Sequence, residues 1–366
     1  MRLGIWHNSL IIMMIVGVAS WAQEGGEKKE GGDKKDITPK IPVKSLKSWI
    51  VDLKDKDASV RDFALTAIPN YGSSTSEAIP AVIDRCLDPD AGVRVKAVMA
   101  LSVLEILDKD IPRTVDALAK RAQEDPQAQV RYLAINALQR FDPVDARRTI
   151  AALVEASKYP NSFEVRRVAL IALVKFGMDK TTGPDVKAVN AALIALKDTA
   201  IPVRYAAITA IALLGKPNNP VTSAGVEKAL TELANGNDKI FAIWAKVGLA
   251  NQDVLSTATH VKFLSQMLKQ SDLQVKLEAM RAISVIGPLA KSTVPDLIDL
   301  LDDKENWVVF NACLTLGSLN VEAREAKDPL TKLLAKKDLY EPVKQAATNA
   351  LESIKGATPK PTPKAP

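Results

Sequence analysis

Between residues 45 and 356 the apolar positions follow a helical period, and the pattern itself is copied along the chain. Aligned on Arg61, Arg94, Arg131, Arg166, Arg204, Ala242, Lys276, Val309 and Lys344, successive copies stand 33, 37, 35, 38, 38, 34, 33 and 35 residues apart. The residue before each anchor is Val, except Phe241. The residue three after it is Ala in every copy, from Ala64 to Ala347, and seven after it stands Ile or Leu, from Ile68 to Leu351. Offsets −1, +3, +7 and +10 trace one face of a helix with 3.6 residues per turn. The Ala column has a physical cause: a methyl group lets two helix backbones approach closely without loss of helix propensity. A register kept through so many copies marks a repeat architecture.

Most copies also carry helix punctuation. Four before the anchor stand Asp57, Asp90, Ser162, Asp238 and Asp272, side chains suited to accept hydrogen bonds from a helix's first free amides. Eleven after it stand Gly72, Gly177, Gly215, Gly287 and Asn320, residues that tolerate a left-handed C-terminal conformation. A shorter apolar helix precedes each cap, as in Ile79–Leu87, Thr114–Ala122 and Val294–Leu301, with Pro80 and Pro295 placed in a first turn. Two helices in about 35 residues cannot bury their apolar faces alone, so neighbouring pairs must stack on one continuous core.

The run Asp88-Pro89-Asp90-Ala91-Gly92-Val93-Arg94, followed by Ala97 and Ala100-Leu101, resembles the HEAT repeat and its shorter HEAT-like variant in the phycobilin lyase group. The resemblance extends over residues 45–356. It implies an all-α fold, a right-handed α-solenoid of about nine two-helix HEAT-like repeats, with second helices lining the concave face. It also implies that Asp57, Asp90 and Asp272, with Arg61, Arg94, Arg131, Arg166 and Arg204, form structural ladders between neighbouring repeats. Ala242 and Val309 depart from the basic anchor and bear on local ion pairing only.

The N-terminus changes where this fold is expected to work. Arg2, the apolar run Leu10–Ala19 and the small residues Ser20 and Ala22 before Gln23 read as an export signal over residues 1–22. The expected location is periplasmic or extracellular, with an uncleaved N-terminal membrane anchor as the alternative. After cleavage no membrane span is expected. Residues 23–44, rich in Gly, Lys, Glu and Pro, read as a disordered linker, and residues 357–366 as a disordered Pro/Lys tail. The two Cys residues, Cys86 and Cys313, fall on apolar helix positions in the second and eighth copies, too far apart to bridge, and are expected as buried reduced thiols.

The isoelectric point near 9.1 invites a nucleic-acid reading. Residues 45–356 nevertheless hold 40 basic and 38 acidic side chains, a balance without bulk phosphate-neutralising charge, so no nucleic-acid partner is expected. Outside the signal segment, which holds His7, the only His is His260, read as a solvated residue of a connection before Val261. One His and two distant Cys cannot supply a His/Cys metal site. No phosphate-binding loop, nucleophile elbow or dinucleotide fingerprint is present. The expectation is therefore a non-enzyme without cofactor. Asp302-Asp303 reads as a turn between helices, and Trp307 as packing at a helix start.

Second-helix offsets +1, +2 and +5 point away from the Ala column. There the chain places Tyr132, Arg167, Tyr205, Ile243, Trp244 and Phe310, residue types enriched where partners dock. These six are the candidate partner-binding residues, Trp244 foremost. The reading is an exported scaffold or adaptor, expected as a monomer, that binds a protein or peptide partner along its concave face. A lyase- or chaperone-like handler of a chromophore or small ligand, and a nucleic-acid binder, are the alternatives.

Overall fold

The computed structural model describes residues 44–142, 146–179 and 181–356. Residues 1–43 and 357–366, which include the segment read as an export signal with His7, the stretch read as a linker apart from Lys44, and the stretch read as a tail, lie outside them. The described residues form eighteen α-helices in nine successive hairpins. The first helices of the pairs are α1 (Leu46–Asp52), α3 (Ile79–Arg85), α5 (Ile111–Glu124), α7 (Ala146–Ala156), α9 (Val186–Ala195), α11 (Pro220–Ala234), α13 (Thr257–Leu268), α15 (Val294–Asp299) and α17 (Lys327–Leu334). The second helices are α2 (Ala58–Ala67), α4 (Ala91–Val103), α6 (Ala128–Leu138), α8 (Phe163–Phe176), α10 (Ile201–Leu214), α12 (Lys239–Gln252), α14 (Leu273–Ile286), α16 (Asn306–Ser318) and α18 (Glu341–Ile354). The described strands are β1 (Met178–Asp179) and β2 (Gly183–Pro184), a two-residue antiparallel hairpin between α8 and α9. Two compact units divide the described residues: one holds 44–210 and 217–222, the other 211–216 and 223–356.

All nine Ala of the +3 column are fully buried, at 0% exposure. The flanking apolar columns surround them: Val93, Val130, Val165, Val308 and Val343 at −1, and Leu101, Leu138, Leu173, Ile283 and Leu316 at +7, are buried. Each such Leu or Ile side chain contributes about 1.5–3 kcal/mol when taken out of water. In the second unit the seam tightens further. A Cβ on Gly317 of α16 would stand 3.2 Å from the Cα of Ala350 on α18, so the absence of a side chain there sets the approach of these two helices.

The N-caps form as the sequence predicts. Asp57, Asp90, Ser162, Asp238 and Asp272 each accept a hydrogen bond from an amide two or three residues on. At the other end Gly72, Gly215, Gly287 and Asn320 adopt positive φ. Gly177 does not: its φ is −83°, because the chain leaves α8 into the β-hairpin and Asp185 N donates back to the Gly177 carbonyl. Cys86 and Cys313 are free, fully buried thiols. His260 corrects its expected position. It sits inside α13, half-buried, and its Nδ1 is buried without a hydrogen-bond partner. Helix α13 begins at Thr257, so the stretch before Val261 read as a connection is already its first turn.

Candidate interaction surface

Two ladders hold the second helices in register and leave one face of them for other work. In the first ladder an anchor Arg reaches into the next repeat. Arg61 donates from Nε and Nη2 to Asp88 Oδ2 and Oδ1 at 2.7 and 2.6 Å. Arg94 makes the same fork to Asp125, at 2.8 and 3.1 Å, and Arg166 to Asp198, at 2.7 and 2.9 Å. In the second unit Lys276 Nζ donates to Asp303 Oδ2 at 2.8 Å. The Nη1 groups of Arg61, Arg94 and Arg166 bond carbonyls of their own turn, such as Asp55 O and Asp88 O. The acids in turn accept the amide two residues on: Asp90 N, Gln127 N, Ala200 N and Glu305 N. Each carboxylate thus shapes the turn into one helix while it receives the guanidinium or ammonium of the repeat before.

The acids of this ladder stand six residues before the next anchor. They are not the N-cap residues Asp57, Asp90 and Asp272 to which the family resemblance pointed. Burial by itself would raise the Asp88 and Asp125 carboxyls, but hydrogen bonds from Arg61 and Arg94 and from the backbone hold both below their ordinary range. Arg131 lacks this partner because Pro160 occupies the acid's place, and its guanidinium lies 4.2 Å over the Tyr159 ring instead. In the second ladder, nine after the anchor, Arg140 donates to Leu101 O and Leu104 O and Lys175 to Gln139 O. Asn251 does the same to Ala212 O in the second unit. These donors satisfy last-turn carbonyls of the preceding second helix, and the cations oppose its negative dipole end.

With the turns and helix ends committed to register, the face opposite the Ala column is the surface on offer. Tyr132, Arg167 and Tyr205 in the first unit, and Phe310 in the second, are half-buried and reach this surface. Ile243 and Trp244 do not, which corrects their assignment: they are 0% and 2% exposed. Trp244 Nε1 donates to Glu278 Oε2 on α14 at 3.0 Å, and Glu278 also takes Arg281 Nη1 at 2.7 Å and Gln274 Nε2 at 3.0 Å. Trp244 is covered by the following second helix, α14, where Glu278 supplies a carboxylate that matches an indole N–H. The six candidates therefore separate. Tyr132, Arg167 and Tyr205 share one unit, Phe310 stands on the other, and Ile243 and Trp244 belong to the interior.

Two accessible residues on the same face escaped the sequence reading. Phe63, at +2 of α2, is 40% exposed, and Met99, at +5 of α4, is 44% exposed. Applying the same offsets to the first two repeats finds both; the reading followed Arg and aromatics from the third repeat onward. Trp307, expected as packing, is 45% exposed at the start of α16 and meets Phe310 edge-on with ring centres 5.2 Å apart. An open groove of about 830 Å³ beside Pro160 and Ile194 has the already paired Arg166 and Asp198 among its lining. Among the described residues no group of three or more His, Cys, Asp or Glu is placed to hold a metal ion. Burial pushes the Cys86 and Cys313 thiols up to about 12. No described helix is long and apolar enough to cross a membrane.

Helical hairpins stacked on a small-residue seam, with basic and acidic side chains alternating between successive turns, define an all-α solenoid. The chain belongs to the family described as HEAT repeats, whose profile matches residues 46–139, 115–212 and 261–352. No curated protein matches the sequence. Among solved structures, an engineered protein is 22% identical over 86% of this chain and 89% of its own, with a TM-score of 0.45. Importin beta crystallised with ammonium sulfate is 13% identical over 84% of this chain and 46% of its own, with a TM-score of 0.46. The karyopherin Kap121p bound to the extreme C-terminus of the protein phosphatase Cdc14p is 12% identical over 84% of this chain and 42% of its own, with a TM-score of 0.42. The chain spans less than half the length of these last two.

Proposed function

We propose that this HEAT-repeat chain is an exported, non-catalytic scaffold that binds a protein or peptide partner along its second-helix face. The observation that carries the reading is the accessible set Phe63, Met99, Tyr132 and Arg167 on consecutive second helices, all turned away from the buried Ala column. Aromatic, Met and Arg side chains grouped on a rigid surface are the composition of a docking site. Export rests on the N-terminal pattern alone, and a mature chain starting at Gln23 is its expected signature on N-terminal sequencing.

The test is an envelope pull-down with the wild type and the double variant Phe63→Ser/Met99→Ser. Both residues are exposed enough that the helical circular dichroism of the double variant should match the wild type. Loss of a specific co-purifying protein from the folded double variant supports the reading; recovery equal to wild type refutes the assigned face.

A further inference from the structure

The second-helix face of the first four repeats carries more cations than acids. At offsets +1, +2, +5, +8 and +9 of α2, α4, α6 and α8 it carries Lys96, Arg140, Arg167 and Lys175 against the single acid Asp62. Among the described residues none of these four cations forms a salt bridge, whereas on the first-helix side Arg113 pairs with Asp84 and Arg148 with Asp116. Arg140 and Lys175 use their N–H groups on neutral carbonyls, which orders the cations without cancelling their charge. Asp62 lies near Lys96, and Asp142 near Lys175, each close enough to be felt electrostatically. The same four helices and offsets also carry Phe63, Met99 and Tyr132.

We infer that this face takes an acidic peptide segment, whose carboxylates meet Lys96 and Arg167 and whose apolar side chains rest on Phe63, Met99 and Tyr132. The inference deepens the proposed scaffold function and rests on it. Charge complementarity supplies orientation and association rate, and the apolar residues supply the buried centre. Single-stranded DNA is the competing occupant of a cationic face with aromatic residues. Bases could stack on Phe63 and Tyr132, yet four cations over four repeats neutralise too few phosphates for tight binding at physiological salt.

The experiment uses the chain from Gln23 and fluorescence anisotropy. The probes are a twelve-residue peptide alternating Glu or Asp with Leu and Phe, the same peptide with Lys in place of every acid, and a dT20 oligonucleotide. The acidic peptide should bind, with affinity falling as salt rises, and should weaken roughly tenfold in Lys96→Gln/Arg167→Gln. Phe63→Ser/Met99→Ser should weaken it as well. All variants are checked for wild-type helicity and melting. If the Lys peptide binds as well as the acidic one, and Phe63→Ser/Met99→Ser abolishes both, the acidic specificity is wrong and the face still docks polypeptide. Tighter binding of dT20 than of the acidic peptide overturns the inference in favour of nucleic acid. Binding of no peptide, or binding indifferent to both double variants, overturns the docking face itself.

Discussion

Replacing Arg94 by Met tests whether the inter-repeat ladder holds the stack in register. Arg94 is 7% exposed and the Asp125 it meets is 0% exposed, so the fork between them is out of water. The substitution leaves the Asp125 carboxylate with Arg121 Nη1 at 3.1 Å and Gln127 N at 3.0 Å, and it removes the donor to Asp88 O and Pro89 O. Removing one partner of a buried pair costs about 3–5 kcal/mol, and the remaining Arg121 places the expectation at the low end, about 3 kcal/mol. The exposed pair Arg148–Asp116 is the control, and Arg148→Met should cost under about 0.5 kcal/mol. Adding Asp125→Asn to Arg94→Met should cost less than the sum of the singles, with a coupling of about 1–3 kcal/mol. The assay is urea unfolding followed by far-ultraviolet circular dichroism. Hydrogen exchange of peptides from α4 and α5 should accompany it, because a repeat array can open in parts. A cost under about 1 kcal/mol for Arg94→Met, or equal costs for Arg94→Met and Arg148→Met, would refute the ladder as the source of register.

Three further outcomes follow from the packing. Gly317→Val places a branched side chain where even a Cβ would stand 3.2 Å from Ala350 Cα, and should lower stability by about 1–3 kcal/mol in urea unfolding despite replacing a helical Gly. Cys86 and Cys313, with thiols near 12, should resist a thiol reagent in native buffer and react once urea opens the core. Stability should respond to acid in two stages. Burial, then Lys246, holds the His260 imidazole below its ordinary 6.5, so folding favours the neutral form; its contribution is complete above 6.5 and declines as pH falls below it, and His260→Gln should flatten that slope. The ladder carboxyls of Asp88, Asp125, Asp198 and Asp303 lie below their ordinary 3.8, so their contribution is present above that value and is lost only as pH falls through the lower folded-state values.

Much of the fold was legible because it rests on local, repeated constraints. The Ala column and its Val and Leu flanks are visible in one dimension, and every member of the Ala column proved fully buried. The caps were legible for the same reason, since Asp57 and Asp272 act on amides two or three residues away. What depends on the neighbouring repeat was not legible. Asp125 is the partner of Arg94 only once two hairpins are stacked, and the sequence shows it merely as an acid before a helix. Trp244 has the composition of a docking residue, yet its fate was decided by Glu278, thirty-four residues on, which covers it. Gly177 had the right residue type for a left-handed terminus, but the hairpin that follows it draws the chain another way.

Site-specific photo-crosslinking in intact cell envelopes tests the central claim most directly. A benzophenone side chain placed at position 63, 99 or 132 samples the second-helix face, and one at 116 or 148 samples exposed first-helix positions. The account predicts one discrete polypeptide adduct from 63, 99 and 132, and none from 116 or 148. The same adduct from 116 and 148, with silence at 63, 99 and 132, would place the partner on the opposite side and contradict it.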